Sequence, residues 1–266
     1  MKIAILGARG FIGSYLVQYF SNKSHTVIPV TRDTLNLSDY IAVDNWINSV
    51  QPDVIINAVT SGGGARVNDI NYTDVQTDLG IFFNFYNNKH CPRYINIGSG
   101  AEYDRRTIIY KAKEESILTC TPLESYGFAK NIISRTVLNR ENFYTLRLFG
   151  CFDSSEPGIR LFKRFLAGKI SSIENKFFDY ISLSDFAKIV EYYCKEETLV
   201  HRDINCVYLE KHLLSNHLTM LSQCQNATIS YEITNKTWGY YTGDGEKLAQ
   251  LGLELQGLEE GLKNYV

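Results

Sequence analysis

MKIAILGARGFIG, residues Met1–Gly13, decides the fold. A short apolar run, Ile3–Leu6, leads into Gly7, Gly10 and Gly13 at three-residue spacing, and an amphipathic segment follows. That order predicts strand, tight glycine turn and helix. The first turn of a helix carries unpaired N–H groups and partial positive charge, so it suits a pyrophosphate. Gly7 permits the turn, Gly10 lets the backbone approach the phosphates, and Gly13 lets the helix pack closely on the strand. Gly7, Arg9, Gly10, Phe11, Ile12 and Gly13 are therefore the expected phosphate-side residues of a dinucleotide site. The spacing is GxxGxxG, unlike the GxGxxG of most two-domain dehydrogenases. A glycine triplet by itself is weak evidence, because glycines recur in turns for many reasons. The next apolar run, Thr26–Val30, sits where a βαβ unit needs its second strand.

Working outward, Val54–Asn57, Tyr94–Ile97 and Tyr144–Leu148 read as further strands. Helical patterns fall near 11–21, 39–50, 70–88 and 124–141. Continuous apolar strands separated by helices predict an α/β fold, a Rossmann-type doubly wound parallel sheet covered on both faces. After Gly150 the segment CFDSSEPG is loop-like and the periodicity turns irregular. The expected division is a nucleotide-binding domain over residues 1–152 and a small α+β substrate lobe over 153–266. Phe177–Ile181 reads as a strand and Ser184–Tyr193 as a helix with Ser184 as N-cap, and the segment 177–195 is expected to rejoin the first domain.

The chain has 266 residues with a net charge of −2, which disfavours a nucleic-acid or anionic-membrane surface. No apolar run approaches membrane-spanning length, and Ile3–Leu6 is too short for a secretory leader. A cytoplasmic protein is expected. The six cysteines are dispersed without a CxxC pair and the five histidines show no ligand spacing with them, so reduced thiols and no metal site are expected.

Ligands of an open α/β sheet bind at the carboxyl ends of its strands. The strand Tyr94–Ile97 runs into Gly98-Ser99-Gly100, placing a hydroxyl at that rim. The next long helix carries Tyr126 and Lys130, four apart and on one face. A phenol's ordinary pKa of about 10 is too high for proton transfer near neutrality, and a neighbouring ammonium favours the phenolate. Tyr126 could then protonate a carbonyl oxygen while Ser99 orients it. Tyr19 and Lys23 satisfy the same spacing on the first helix, where a solvated face is expected; position after the Ser99 strand selects Tyr126.

Cofactor choice rests on the end of the second strand, where a carboxylate suits the ribose 2′-OH of NAD and a cation the 2′-phosphate of NADP. Arg32 and Asp33 stand there side by side, with Arg9 in the glycine loop. A guanidinium can meet a phosphate bidentately, so NADP is favoured, with NAD the alternative through Asp33. Asn36 and Leu37 are placed along the adenine, and Ala58 and Thr60 near the nicotinamide. The run Gly62-Gly63-Gly64-Ala65-Arg66 is either a loop over the nicotinamide and sugar or a plain connection. Phe82, Phe83, Phe85 and Tyr86 form an aromatic cluster suited to core or to a subunit interface.

GARGFIG, the serine of INIGSGAEYD, and YGFAK together resemble the extended short-chain dehydrogenase/reductases, in the branch of nucleotide-sugar epimerases, dehydratases and reductases. FFDYISLSDFA resembles that branch's strand-then-helix block, and GDGEKLAQLGLELQGLEEGL its C-terminal segment, so a complete chain is expected. TRDTLNLSD, QPDVIINAVTSGGG and IGSGAEY look most like the GDP-fucose synthase and dTDP-4-keto-rhamnose reductase group, which reduces the 4-keto group of a nucleotide-linked 6-deoxy sugar with NADPH. The resemblance implies a catalytic Ser99, Tyr126 and Lys130, with Lys130 also holding the nicotinamide ribose. It aligns Arg32 with the phosphate-binding arginine of the reductases. It also implies a homodimer through helices near 70–88 and 124–141.

Departures from the pattern are specific. Ala101 replaces the cysteine that GDP-fucose synthases use for epimerisation, and residues 151–165 hold no histidine. Gly150 replaces the asparagine after the fifth strand, and Thr77 lies near the position of another. Simple keto reduction of a nucleotide sugar is thus expected. The alternatives are an epimerase that retains NAD and a non-catalytic NADP-binding sensor or scaffold.

Overall fold

The computed structural model describes residues 1–61, 71–227, 229–234 and 240–265. The glycine run beginning at Gly62 lies outside these. In chain order the elements begin β1 (Lys2–Leu6), α1 (Phe11–Ser21), β2 (Thr26–Val30), α2 (Tyr40–Val50), β3 (Val54–Asn57), α3 (Tyr72–Tyr86) and β4 (Arg93–Ser99). They continue β5 (Ile109–Ala112), α4 (Ser125–Val137), β6 (Phe143–Leu148), β7 (Gly150–Phe152), α5 (Leu161–Leu166), β8 (Ser172–Glu174), β9 (Tyr180–Ser182), α6 (Leu183–Lys195) and β10 (Asp203–Asn205). The last are α7 (Leu214–Cys224), β11 (Glu232–Thr234), β12 (Tyr241–Gly243), α8 (Glu246–Ala249) and α9 (Gly257–Lys263).

The central sheet has six strands in the order β10-β6-β4-β3-β1-β2. β1 pairs in parallel with β2 on one side and β3 on the other, and β3 pairs in parallel with β4. Strand order reverses at β1, the switch point where open α/β sheets take their ligands. Every residue of Ile3–Leu6 and Val54–Asn57 is buried, as unbroken apolar runs in a two-faced sheet require. The fold is therefore the expected α/β, Rossmann-type one.

Residues divide into two compact units. One comprises 1–104, 115–147 and 190–203; the other comprises 105–114, 148–189 and 204–266. In the first unit Phe82 and Phe85 are fully buried against Tyr94 and Phe143, whose rings stack 4.8 Å apart, and Phe83 and Tyr86 pack on the same core. The aromatic cluster is thus core of the domain itself. Tyr19 and Lys23 are likewise explained: Tyr19 Oη donates to Glu191 Oε2 at 2.6 Å and Lys23 pairs with the same carboxylate, tying α1 to α6. In the second unit the helix start differs from expectation. α6 begins at Leu183, and the Ser182 hydroxyl, not Ser184, accepts from Asp185 N at 3.2 Å. The adjacent strand is Tyr180–Ser182, because Phe177 and Phe178 make only single bridges, to Leu213 and Tyr241.

Candidate active site

The glycine loop explains itself sterically. Gly7 has φ +76°, and a Cβ there would lie 3.0 Å from Ala58 O. A Cβ on Gly13 would lie 2.2 Å from Gly7 O. Gly10 is the N-cap of α1, with no side chain capping it and no acidic residue in the first turn. The turn is thus held tight against β1, and its N-cap is a glycine with no side chain to offer the leading N–H groups of α1, an arrangement that suits a phosphate group. Phe11 and Ile12 are half-buried in that first turn.

Gly7 N and Ala8 N both donate to Val30 O, which locks the loop to the end of β2. Arg9 Nη1 reaches Asp33 Oδ2 at 2.5 Å, both side chains largely exposed. Arg32 is exposed beside them, without an ion pair among the described residues. Arg9 and Asp33 are therefore brought together, with Arg32 next to Asp33 in the chain. Asn36 is exposed and its side chain accepts from Ser38 N, while Leu37 packs on the core and Asn84 Nδ2 donates to its carbonyl. Both lie on the segment after β2, as does Arg32.

Ala58 and Thr60 follow β3. Ala58 N donates to Leu6 O at 3.1 Å, and Thr60 Oγ1 approaches Asp78 Oδ2 at 3.4 Å. Ser61 N donates to Asp78 Oδ1 at 2.7 Å, so a buried carboxylate on α3 pins this loop. Asp78 was not among the sequence candidates, although it shares the buried face of α3 with Ile81, Phe82 and Phe85 at i+3, i+4 and i+7.

Ser99 ends β4 and caps a 3₁₀ turn, Gly100–Glu102. Its hydroxyl oxygen accepts from Ala101 N at 3.2 Å, while Ser99 N donates to Glu102 Oε1 at 2.8 Å. Helix α4 approaches that turn closely at Gly127, where a Cβ would lie 2.3 Å from Ala101 O. The glycine after Tyr126 therefore brings the tyrosine's helix onto the serine's turn. Tyr126 is half-buried. Lys130, one helical turn on, is buried and its Nζ donates to Ile97 O at 2.9 Å and Val59 O at 3.5 Å. Burial lowers the Lys130 pKa, against the pull of the Asp78 and Glu102 carboxylates. The ammonium thus lies between the ends of β3 and β4, and the helix that carries Tyr126 and Lys130 packs on the turn that Ser99 caps.

Two departures acquire physical reasons. A Cβ on Gly150 would lie 2.7 Å from the Tyr180 ring and 2.8 Å from Asp179 O, so no asparagine fits there. Thr77 Oγ1 donates back to Thr73 O within α3. Among the described residues no three His, Cys, Asp or Glu side chains could hold a metal ion, and no helix is long and apolar enough to cross a membrane.

Residues 3–173 match the model of the NAD dependent epimerase/dehydratase family. The chain belongs to that family. Its epimerase/dehydratase fold extends to solved structures across the whole chain. A GDP-D-glycero-L-gluco-heptose synthase from Campylobacter jejuni, in the presence of NADPH, superposes with a TM-score of 0.82 at 18% identity, covering 99% of this chain and 96% of that one. The GDP-mannoheptose C4 reductase of Campylobacter jejuni, with NADP bound, gives 0.80 at 19% identity and the same coverage. A dTDP-4-dehydrorhamnose reductase from Clostridium acetobutylicum gives 0.80 at 16%, covering 100% and 98%.

Proposed function

We propose that the protein is an NADP-dependent oxidoreductase that reduces the 4-keto group of a nucleotide-activated 6-deoxy sugar. The packing of the Tyr126–Lys130 helix on the Ser99 turn, with Lys130 Nζ held at the ends of β3 and β4, carries this assignment. The family match and the proteins of like fold, two of them named as reductases and two solved with NADP or NADPH, support it. The glycine cradle fits a dinucleotide pyrophosphate, with Arg9 and Arg32 as candidates for the 2′-phosphate and Asn36 and Leu37 for the adenine. NADPH held there supplies a hydride to the carbonyl carbon.

The chain's own residues manage the oxygen. The Ser99 hydroxyl accepts from Ala101 N, which fixes the oxygen by a lone pair and leaves the proton to be donated to the sugar carbonyl. Tyr126 Oη gives that oxygen its proton, so a C=O becomes CH–OH and Tyr126 is left as phenolate. The Lys130 ammonium, held by two backbone carbonyls, stabilises that phenolate electrostatically. Six free cysteines suit a reducing cytoplasm. A homodimer through α3 and α4 would use Tyr72, Gln76 and Gly80, one exposed stripe of α3, since Phe82 and Phe85 are spent in the core.

The test is NADPH oxidation on incubation with a panel of nucleotide-linked 4-keto-6-deoxy sugars. Turnover with at least one sugar, lost in Tyr126→Phe with NADPH binding kept, is the expected result. Unchanged turnover in that variant refutes the mechanism. Tight cofactor binding without turnover of any sugar points to a sensor, and tighter binding of NAD(H) to an NAD-retaining epimerase.

A further inference from the structure

Glu102 takes no part in the steps above, yet it is fully buried and bonded on every side. Oε1 accepts from Ser99 N at 2.8 Å and Oε2 from Arg147 Nε at 2.5 Å. Its main-chain oxygen accepts from Asn131 Nδ2 at 2.8 Å, from the residue next to Lys130 on α4. Arg147 on β6 is also fully buried, lies 5.3 Å from the Tyr103 ring centroid and reaches Asp203 Oδ2 at 3.4 Å. Room for the carboxylate comes from Gly98, where a Cβ would lie 2.5 Å from Glu102 Oε1 and 2.6 Å from Thr145 Cγ2. One carboxylate thus joins the serine turn, the tyrosine–lysine helix and a neighbouring strand.

We propose that Glu102, anchored by Arg147, is a positioning residue that sets the Ser99 hydroxyl for reaction. A buried ion pair is a poor source of net stability, since apolar side chains of like volume often do as well, so its retention here calls for a geometric role. The turn is closed from both ends: Glu102 holds the Ser99 N–H, and Ser99 Oγ holds the Ala101 N–H. Loss of the first bond frees Ser99 to rotate about its backbone, and misplacement by about 1 Å costs up to about 100-fold in rate. Arg147 supplies the fixed end, because a guanidinium buried without its carboxylate is too costly to tolerate movement of Glu102.

This role rests on the reductase proposal, and the experiment separates the two. In Glu102→Gln the amide cannot accept at both ends: its oxygen stays on the buried Arg147 guanidinium, and its nitrogen, a donor, turns to the Ser99 N–H, which loses its acceptor. The variant should lower kcat about 10- to 100-fold with the KM for NADPH within about twofold. Added to Ser99→Ala, the same change should lower kcat by less than about threefold further, because a residue acting through Ser99 has nothing left to position. Multiplying losses, or an unchanged kcat in the single variant, overturn the assignment. Should Glu102→Gln not fold, Arg147→Lys keeps the charge, loses the Nε donor, and should give the same kcat-only loss. Amide exchange gives a readout independent of substrate. Peptides covering 97–103 should exchange at least about tenfold faster in Glu102→Gln, with β1–β3 unchanged. Equal exchange overturns the tether. A wild type that turns over no sugar, while the variant loosens 97–103, removes the reductase assignment and leaves the tether standing.

Discussion

Replacing Gly13 by Ala tests whether the glycine loop is a steric requirement of cofactor binding. The new Cβ would lie 2.2 Å from Gly7 O, 2.9 Å from Gly7 C and 3.2 Å from Ala8 Cα, the first of these 1.2 Å short of the 3.4 Å at which ordinary contact begins. All three atoms are backbone, so no side chain can swing away, and relief requires α1 to move off the turn. Overpacking of this kind costs about 1–3 kcal/mol, and Ala's better helix propensity returns less than about 1 kcal/mol. A net loss of about 2 kcal/mol corresponds to a fall in Tm of roughly 4–8 °C for a chain of this size. The same movement takes N–H groups of the first turn away from the pyrophosphate. A hydrogen bond to a charged group contributes about 1.5–3 kcal/mol, so NADPH should bind about 10- to 100-fold more weakly. Thermal unfolding by circular dichroism and titration of NADPH fluorescence measure both effects. Gly80→Ala is the control, because nothing lies within 4 Å of a Cβ on that exposed helical glycine; it should gain about 0.5–1 kcal/mol. A Gly13→Ala protein that melts at or above wild type and binds NADPH equally well would refute the steric account.

The two tyrosine–lysine pairs should part in function: Tyr19→Phe should leave sugar turnover within about twofold, whereas Tyr126→Phe should abolish it, and parallel kinetics decide between them. Arg32→Ala should weaken NADPH about tenfold or more and leave NADH unchanged, read by competing fluorescence titrations; equal losses for both cofactors would remove Arg32 from the 2′-phosphate. Asp33→Asn should instead strengthen NADPH binding about two- to fivefold, because it releases Arg9 from an exposed ion pair worth no more than about 1 kcal/mol. His217 is buried with Nε2 donating to Phe178 O at 2.7 Å and Nδ1 without a partner, and burial lowers its pKa from 6.5 to about 4. Below pH 6.5 the unfolded chain binds a proton that the native ring refuses, so stability should fall as pH drops from 6.5 to about 4, by about 3 kcal/mol in all. Denaturant unfolding of wild type and His217→Leu across that range checks this: the loss of stability should be about 3 kcal/mol larger in wild type than in the variant, in which Asp179, raised to about 6 by burial, still titrates.

The strands of the central sheet were legible because burial on both faces demands unbroken apolar runs, as in Ile3–Leu6 and Val54–Asn57. Helices α1 to α4 were legible from their periodicity. The cap of α6, expected at Ser184, lies two residues earlier because Ser182 and Ser184 are equally good caps by composition, and only the chain path chooses between them. Candidate site residues at strand ends were readable from order along the chain. Residues that hold them were not: Asp78 looks like an ordinary helical acid, and Arg147 like a stray charge in the apolar strand FYTLRLF. Ser99-x-x-Glu102 did carry a capping-box signal, which predicts the local turn and says nothing of the arginine beyond it.

The sequence by itself determined the alternation of strands and helices, the glycine turn that opens it and the residue types at the sheet's rim, because each depends on short-range spacing. Only the tertiary structure decided that the helix of Tyr126 and Lys130 packs on the Ser99 turn while Tyr19–Lys23 is a brace, that Phe82 and Phe85 are core, and that Gly150 excludes an asparagine. It also decided that Glu102 finds Arg147, residues 45 apart in sequence meeting at 2.5 Å. Such pairings follow from which strands lie side by side, and local propensity carries no information about that.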